Sequence, residues 1–175
     1  MKKEDARAKG LSARRSLSAE KRKRDQHSLF VQMKEMCRHY SLIGCYVSMK
    51  DEADTLAFLS WALANGKRIA VPKVRGRTLD FYEIRSLDAL SAGCFGVMEP
   101  RGGTPLETKD IDLMFVPLSS FDGECRRTGY GKGFYDSVLS PSMHKVGIAF
   151  SEQKVDRIES SPNDVRLDEV LTPAC

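Results

Sequence analysis

The sequence predicts an α/β fold built on a mostly parallel sheet. Two observations carry that expectation. Residues 42–47 and 68–72 are short apolar runs, separated by the helical stripe Leu56, Leu59, Ala62 and Leu63 with short joints. Strand, helix, strand at that spacing is a βαβ unit, whose strands run parallel. Residues 112–117 and 145–150 are apolar enough to be buried on both faces, the mark of inner strands in such a sheet. The chain has 175 residues, and a single domain over 1–175 is expected at that length.

Taken in order, residues 2–16 form a basic, weakly amphipathic helix with Ala6, Leu11 and Ala13 as its apolar anchors. Ser18 is placed to cap a second helix running to about His39, with Leu29, Met33, Met36 or Cys37, and Tyr40 at helical spacing. After the first strand, Asp54-Thr55 caps the crossover helix and Asn65-Gly66 ends it. Residues 79–84 alternate in polarity and read as a more exposed strand. Residues 91–108 carry four glycines and two prolines and read as loop. A helix is expected to start at about residue 133. The tail after residue 150 is polar apart from Val165, Leu167, Val170 and Leu171.

Composition narrows the function. No apolar run approaches the roughly 18 residues of a membrane span, and the charged start Met1-Lys2-Lys3-Glu4-Asp5 reads against a secretory leader. Five scattered cysteines without a C-x-x-C pair point to reduced thiols in the cytoplasm and lack the spacing of a zinc site. Net charge is +4, with ten Lys/Arg against three Asp/Glu in residues 1–24. That segment suits a solvated helix face, a polyanion or a nucleotide alike. Aromatic residues are not interleaved with it, which weakens a nucleic-acid reading.

The segment with the most chemistry is 127–136, RTGYGKGFYD. Gly129, Gly131 and Gly133 permit close approach of a ligand to the main chain, and successive amides form an anion-binding concavity. Arg127 and Lys132 add positive charge for phosphate oxygens. Asp136 is a hard oxygen donor suited to Mg2+. Neither G-x-x-x-x-G-K-[ST] nor G-x-G-x-x-G is present, so a tight turn between elements competes with a phosphate loop. Ser48–Asp54 follows the first core strand, where open sheets bind ligands. There Glu52 can accept hydrogen bonds from a polar ring or belong to a capping acidic cluster. Asp164 can hold a metal or cap a turn. His27, His39 and His144 share no motif.

Together these segments resemble the 5-formyltetrahydrofolate cyclo-ligase family, also called 5,10-methenyltetrahydrofolate synthetase. The residues that carry the resemblance are Lys3 and Arg7, YVSMKDEADT at 46–55, GKRIAVP at 66–72, GVMEP at 96–100, IDLMFVP at 111–117, the glycine loop, and Asn163-Asp164 with Asp168-Glu169-Val170. The chain departs from the usual family pattern at Leu118-Ser119-Ser120, Cys125 and Thr128.

The resemblance implies a three-layer, Rossmann-like α/β/α fold similar to sugar-phosphate isomerases and CoA transferases. It implies an ATP- and Mg2+-dependent closure of 5-formyltetrahydrofolate to 5,10-methenyltetrahydrofolate, by phosphorylation of the formyl oxygen and attack of N10. By position in the motifs, Arg127 and Lys132 are the catalytic cations. Lys3, Arg7, Arg127, Gly129, Tyr130, Gly131, Lys132, Gly133, Phe134 and Tyr135 hold ATP. Val47, Glu52, Tyr130 and Phe134 hold the folate, and Asp136 and Asp164 the Mg2+. The expected protein is a cytoplasmic monomer with small-molecule substrates and no nucleic-acid or membrane partner.

Overall fold

The computed structural model describes residues 1–175. Two helices come first, α1 (Lys3–Arg15) and α2 (Ala19–Cys37), and a third, α3 (Leu56–Ala64), links β1 (Leu42–Cys45) to β2 (Arg68–Arg75). The chain continues through β3 (Thr78–Ile84), β4 (Leu90–Ala92), β5 (Met98–Pro100) and β6 (Leu113–Val116). It ends through β7 (Ser120–Phe121), β8 (Arg127–Thr128), β9 (His144–Ile148) and β10 (Glu169–Leu171).

Six strands form one sheet in the order β10-β9-β6-β1-β2-β3. Every pairing is parallel except β2 with β3, a long antiparallel hairpin at one edge. The expected α/β class with a mostly parallel sheet is therefore what the chain adopts. All four residues of β1 and of β6 are buried, as strands covered on both faces require. One face packs against Leu29, Met33 and Cys37 of α2 and Phe58, Leu59 and Ala62 of α3. At that spacing each buried aliphatic or aromatic side chain contributes on the order of 1.5–3 kcal/mol. The other face packs against Leu118, Phe121, Leu139, Met143 and Leu167, from turns and loops after β6.

The helix ends follow their local chemistry. The Ser18 hydroxyl accepts from the Lys21 amide at 3.1 Å, the capping bond its sequence position implies. At α3 the cap falls to Asp54, whose carboxylate accepts from the Leu56 amide at 3.0 Å, while the Thr55 hydroxyl turns back to the Tyr46 carbonyl at 2.7 Å.

Three expectations need correction. No helix follows the glycine loop: residues 134–138 are turns, held by Leu139 N–H to Tyr135 O at 2.9 Å and by the Ser137 hydroxyl to Phe134 O at 2.6 Å. The Ser137 hydroxyl competing for the backbone, with Pro141 shortly after it, disfavours helix there. The stretch 91–108 is not all loop, because β4 and β5 pair as a small antiparallel ribbon. The tail contributes an edge strand, β10, whose three residues were too few and too mixed to stand out.

Two features of the fold make a site. The chain leaves β1 toward β2 and β3 on one side, then returns to β6 and β9 on the other. The crevice beyond the carboxyl ends of β1 and β6 is thus a topological switch point, the place where open sheets bind ligands. Helix α1 lies across the β7–β8 hairpin through Gly10. A Cβ there would sit 2.1 Å from the Ser119 carbonyl oxygen, so this crossing tolerates only glycine. That contact sets the helix's cationic face beside the glycine loop, which springs from the end of β8. No helix is long and apolar enough to cross a membrane.

Candidate active site

Two clefts of about 260 and 270 Å³ adjoin at the switch point. They share one wall, made of Pro117, Tyr130, Lys132, Phe134 and Tyr135. One cleft is apolar, bounded by Tyr46 and Val47 after β1, Pro72 and Val74 of β2, and Phe95 and Val97 between β4 and β5. Glu52 and Glu99 are its acids. The other is polar: besides the shared wall it is lined by Lys3, Arg7, Arg127, Thr128, the three loop glycines, Asp136 and Asp164.

The structure brings together every residue singled out from the sequence, and sorts them. Val47 and Glu52 face the apolar cleft. Lys3, Arg7, Arg127, Gly129, Gly131, Gly133, Asp136 and Asp164 face the polar one, and Tyr130, Lys132, Phe134 and Tyr135 stand between the two. None of the three histidines lines either cleft.

In the apolar cleft Glu52 is buried. One of its carboxylate oxygens accepts from the Met49 amide at 2.8 Å and the other from the Tyr130 hydroxyl at 3.1 Å. Burial pushes its carboxyl above the ordinary value, although Met49, Arg14 and Tyr130 all oppose that shift. The Tyr135 phenol, half-buried between the clefts with its ring edge-on to Phe81 at 6.4 Å, is pushed well up by desolvation and stays protonated. An apolar slot with hydrogen-bonded acids in its lining suits a flat heterocycle that has N–H groups.

In the polar cleft the loop backbone does what the glycines permit. Gly131 and Gly133 have φ of +86° and +70°. A Cβ on Gly131 would lie 3.3 Å from an Arg7 guanidinium nitrogen. Arg7 in turn donates from Nε to the Gly129 carbonyl at 2.5 Å, tying α1 to the loop. The Arg127 guanidinium pairs with Asp136 at 3.1 Å. Lys132 is exposed and lies 5.8 Å from the Phe95 ring centroid, with no carboxylate partner. It is the free cation of the loop. No helix follows the loop, so the cleft has no helix N-terminus and offers an anion only loop backbone and side chains.

Asp136 and Asp164 both border this cleft. Asp136 accepts from Arg127 and from the Val165 amide through the same oxygen, each at 3.1 Å. Asp164 accepts from Lys3 at 2.7 Å and from the Ser161 amide at 2.7 Å. Burial would raise the Asp164 carboxyl, but Lys3 and the Ser161 amide outweigh it and hold the group below its usual range. No group of three metal-ligating side chains exists in the molecule. Two carboxylates beside a phosphate-sized polar cleft still fit Mg2+. That ion keeps much of its shell as water and phosphate oxygen and needs only one or two protein carboxylates. The Lys3–Asp164 pair is partly exposed, 33% and 24%, so parting it costs on the order of 1 kcal/mol or less.

The departures from the family pattern meet one another. Ser120 and Thr128 sit opposite across the β7–β8 pair, and their hydroxyls hydrogen-bond at 2.6 Å. Cys125, where a glycine is common, has φ of +61° in the turn between these strands. The Asp122 carboxylate holds that turn by accepting from the Glu124 and Arg126 amides at 2.9 and 3.0 Å.

Sequence reasoning missed two participants. Glu99 is buried in the wall of the apolar cleft and accepts from the Val74 amide at 3.2 Å. Arg14 lies beneath the shared wall. It stood in a run of basic residues beside Arg15, yet its side chain is 2% exposed and that of Arg15 64%. Only the docking of α1 separates the two, so nothing in the local sequence marks it.

Comparison with known proteins gives a consistent picture. A family model described as the 5-formyltetrahydrofolate cyclo-ligase family matches residues 1–173. A probable 5-formyltetrahydrofolate cyclo-ligase of Schizosaccharomyces pombe is 30% identical over 148 residues, covering 73% of this chain and 72% of that protein. The Mus musculus 5-formyltetrahydrofolate cyclo-ligase is 28% identical over 177 residues, covering 90% and 86%. The NMR structure of Aquifex aeolicus 5,10-methenyltetrahydrofolate synthetase superposes with a TM-score of 0.86 at 32% identity, covering 97% of this chain and 89% of that one. With the motifs, the fold and the match over nearly the whole length in agreement, the chain belongs to the 5-formyltetrahydrofolate cyclo-ligase family.

Proposed function

We propose that the protein converts 5-formyltetrahydrofolate and ATP to 5,10-methenyltetrahydrofolate, ADP and phosphate. The observation that supports this most is the pair of clefts with a common wall. One is shaped and polarised for a folate ring, the other for a polyphosphate, and a γ-phosphoryl group has to cross only that wall.

The formyl oxygen of an N-formyl group leaves poorly as oxide or hydroxide. Transfer of the γ-phosphoryl to it breaks the bond to the β-γ bridging oxygen, releases ADP and leaves an iminium phosphate. N10 then attacks the activated carbon, loses its proton, and phosphate departs with the former formyl oxygen. The protein's tasks are positioning and charge stabilisation. Glu52 accepts from the pterin N–H groups and sets the ring in the apolar cleft. Lys132, free of any carboxylate, reaches the transferring group from the shared wall. Arg127, steadied by Asp136, and the 129–133 amides take the remaining phosphate charge. Lys3 and Arg7 close on the nucleotide from α1. Asp136 and Asp164 would hold Mg2+, which neutralises phosphate charge when bound. No covalent attachment to the protein is needed. Five unpaired cysteines suit the cytoplasm.

Mixing protein, Mg-ATP and 5-formyltetrahydrofolate should raise the near-ultraviolet absorbance of the methenyl product, with one ADP formed for each. Well-folded protein that binds both ligands and gives no rise would leave it a binding protein without turnover.

A further inference from the structure

Arg14 has no role in the reaction as described, yet it is the most deeply buried cation in the molecule. One terminal nitrogen donates to the Asp51 carboxylate at 2.9 Å and to the Tyr130 hydroxyl at 3.1 Å. The other donates to the Leu118 carbonyl at 3.3 Å. Asp51 is gripped further by Arg15 at 3.0 Å, and its carbonyl accepts from Arg22 at 2.8 Å. The Nε of Arg14 is the one buried side-chain polar atom without a hydrogen-bond partner. All of the side chain's hydrogen bonds run through the two terminal nitrogens, so the planar fork fixes its partners.

The bonds have a direction. A guanidinium can only donate. The Tyr130 oxygen therefore accepts from Arg14, and its single hydrogen is turned to the Glu52 carboxylate at 3.1 Å. Tyr130 belongs to the phosphate loop and lines both clefts, while Glu52 belongs to the apolar cleft alone. A path of donors thus runs from α1, through the phosphate loop, to the acid of the folate cleft.

Building on the assignment of the two clefts made above, we infer that Arg14 is a positioning residue that couples them, so that nucleotide and folate tighten each other's binding. A nucleotide that orders the loop fixes the Tyr130 hydroxyl against Arg14 and holds Glu52 in its ring-accepting orientation. By linkage, folate on Glu52 favours the nucleotide-bound loop by the same factor.

The test measures the affinity of 5-formyltetrahydrofolate with and without a saturating non-hydrolysable ATP analogue. For the native protein we expect nucleotide to tighten folate binding about tenfold, within the range of such couplings. Arg14→Met should bring the ratio close to one while each ligand still binds alone. Arg14→Lys, which keeps the charge but not the planar fork, should restore only part of it. Tyr130→Phe removes one hydroxyl and little packing, so it serves if Arg14→Met does not fold, and it should abolish the ratio equally. Adding Arg14→Met to Tyr130→Phe should then change nothing further. A native ratio of one overturns the inference, as does an undiminished ratio in folded Arg14→Met or Tyr130→Phe. Failure of the native protein to bind either ligand alone would instead count against the assignment of the clefts.

Discussion

The two clefts treat a carboxylate in opposite ways. In the apolar cleft burial dominates, and Glu52 is pushed above its ordinary value despite three favourable partners. In the polar cleft Lys3 and a backbone amide outweigh burial, and Asp164 is held below its own. The first site keeps an acceptor in a poorly solvated slot, which in the proposed reaction would meet the N–H groups of the ring. The second keeps a carboxylate paired with Lys3, where in the proposed reaction metal and phosphate would take the place of that lysine. In the proposed reaction one carboxylate would recognise a ring on one side of Tyr130, and the other would manage polyphosphate charge on the far side.

Each side can be broken separately. The largest effect is expected from Lys132→Ala, which removes the only unpaired cation of the shared wall. Turnover should fall by about 10²–10³, the usual loss for one charge-stabilising donor. The melting temperature should hardly move, because Lys132 is exposed, and steady-state kinetics with a thermal melt read both quantities. Glu52→Gln comes next. Losing charged hydrogen bonds costs about 1.5–3 kcal/mol, so folate affinity should fall roughly ten- to a hundredfold while ATP affinity holds. Direct binding of each ligand separates the two.

Gly131→Val attacks the other cleft. A β-branched residue at φ +86°, with its Cβ 3.3 Å from Arg7, costs on the order of 1–2 kcal/mol in backbone strain. ATP affinity should weaken about tenfold, with folate binding alone unchanged. Equal loss of both would mean the wall is not separable.

The smallest effects lie in the pH dependence of stability, and there the two acids differ in sign. Glu52 binds its proton more tightly in the folded state. Its stabilising contribution is full below the ordinary 4.5 and is lost as pH rises through the folded value. Asp164 contributes above its ordinary 3.8, and the contribution is lost as pH falls through the lowered folded value. Melting curves from pH 3 to 8 should show Glu52→Gln flattening the first slope and Asp164→Asn the second, each by a few degrees or less.

The comparison also shows what the sequence makes legible. Inner strands such as 42–45 and 113–116 announce themselves, because burial on both faces demands an unbroken apolar run. The polar cleft was readable because one contiguous segment, 127–136, supplies most of it. The sequence pointed to the apolar cleft at Val47, Glu52, Tyr130 and Phe134 but not at its remaining walls, which come largely from β2 and the β4–β5 ribbon, far away in sequence. Arg14 and Glu99 acquire meaning only when α1 and that ribbon dock. The helix expected after the glycine loop failed for a local reason, serine competition with the backbone, and the edge strand β10 is held by pairing that no three-residue pattern reveals.

The central claim is that a phosphoryl group crosses the shared wall to the formyl oxygen. It is tested most directly by placing ¹⁸O in the formyl group of 5-formyltetrahydrofolate and following it through one turnover with Mg-ATP. If the claim is right, the label appears in the released inorganic phosphate, one atom for each methenyl product. Label recovered in water, with unlabelled phosphate, would contradict it.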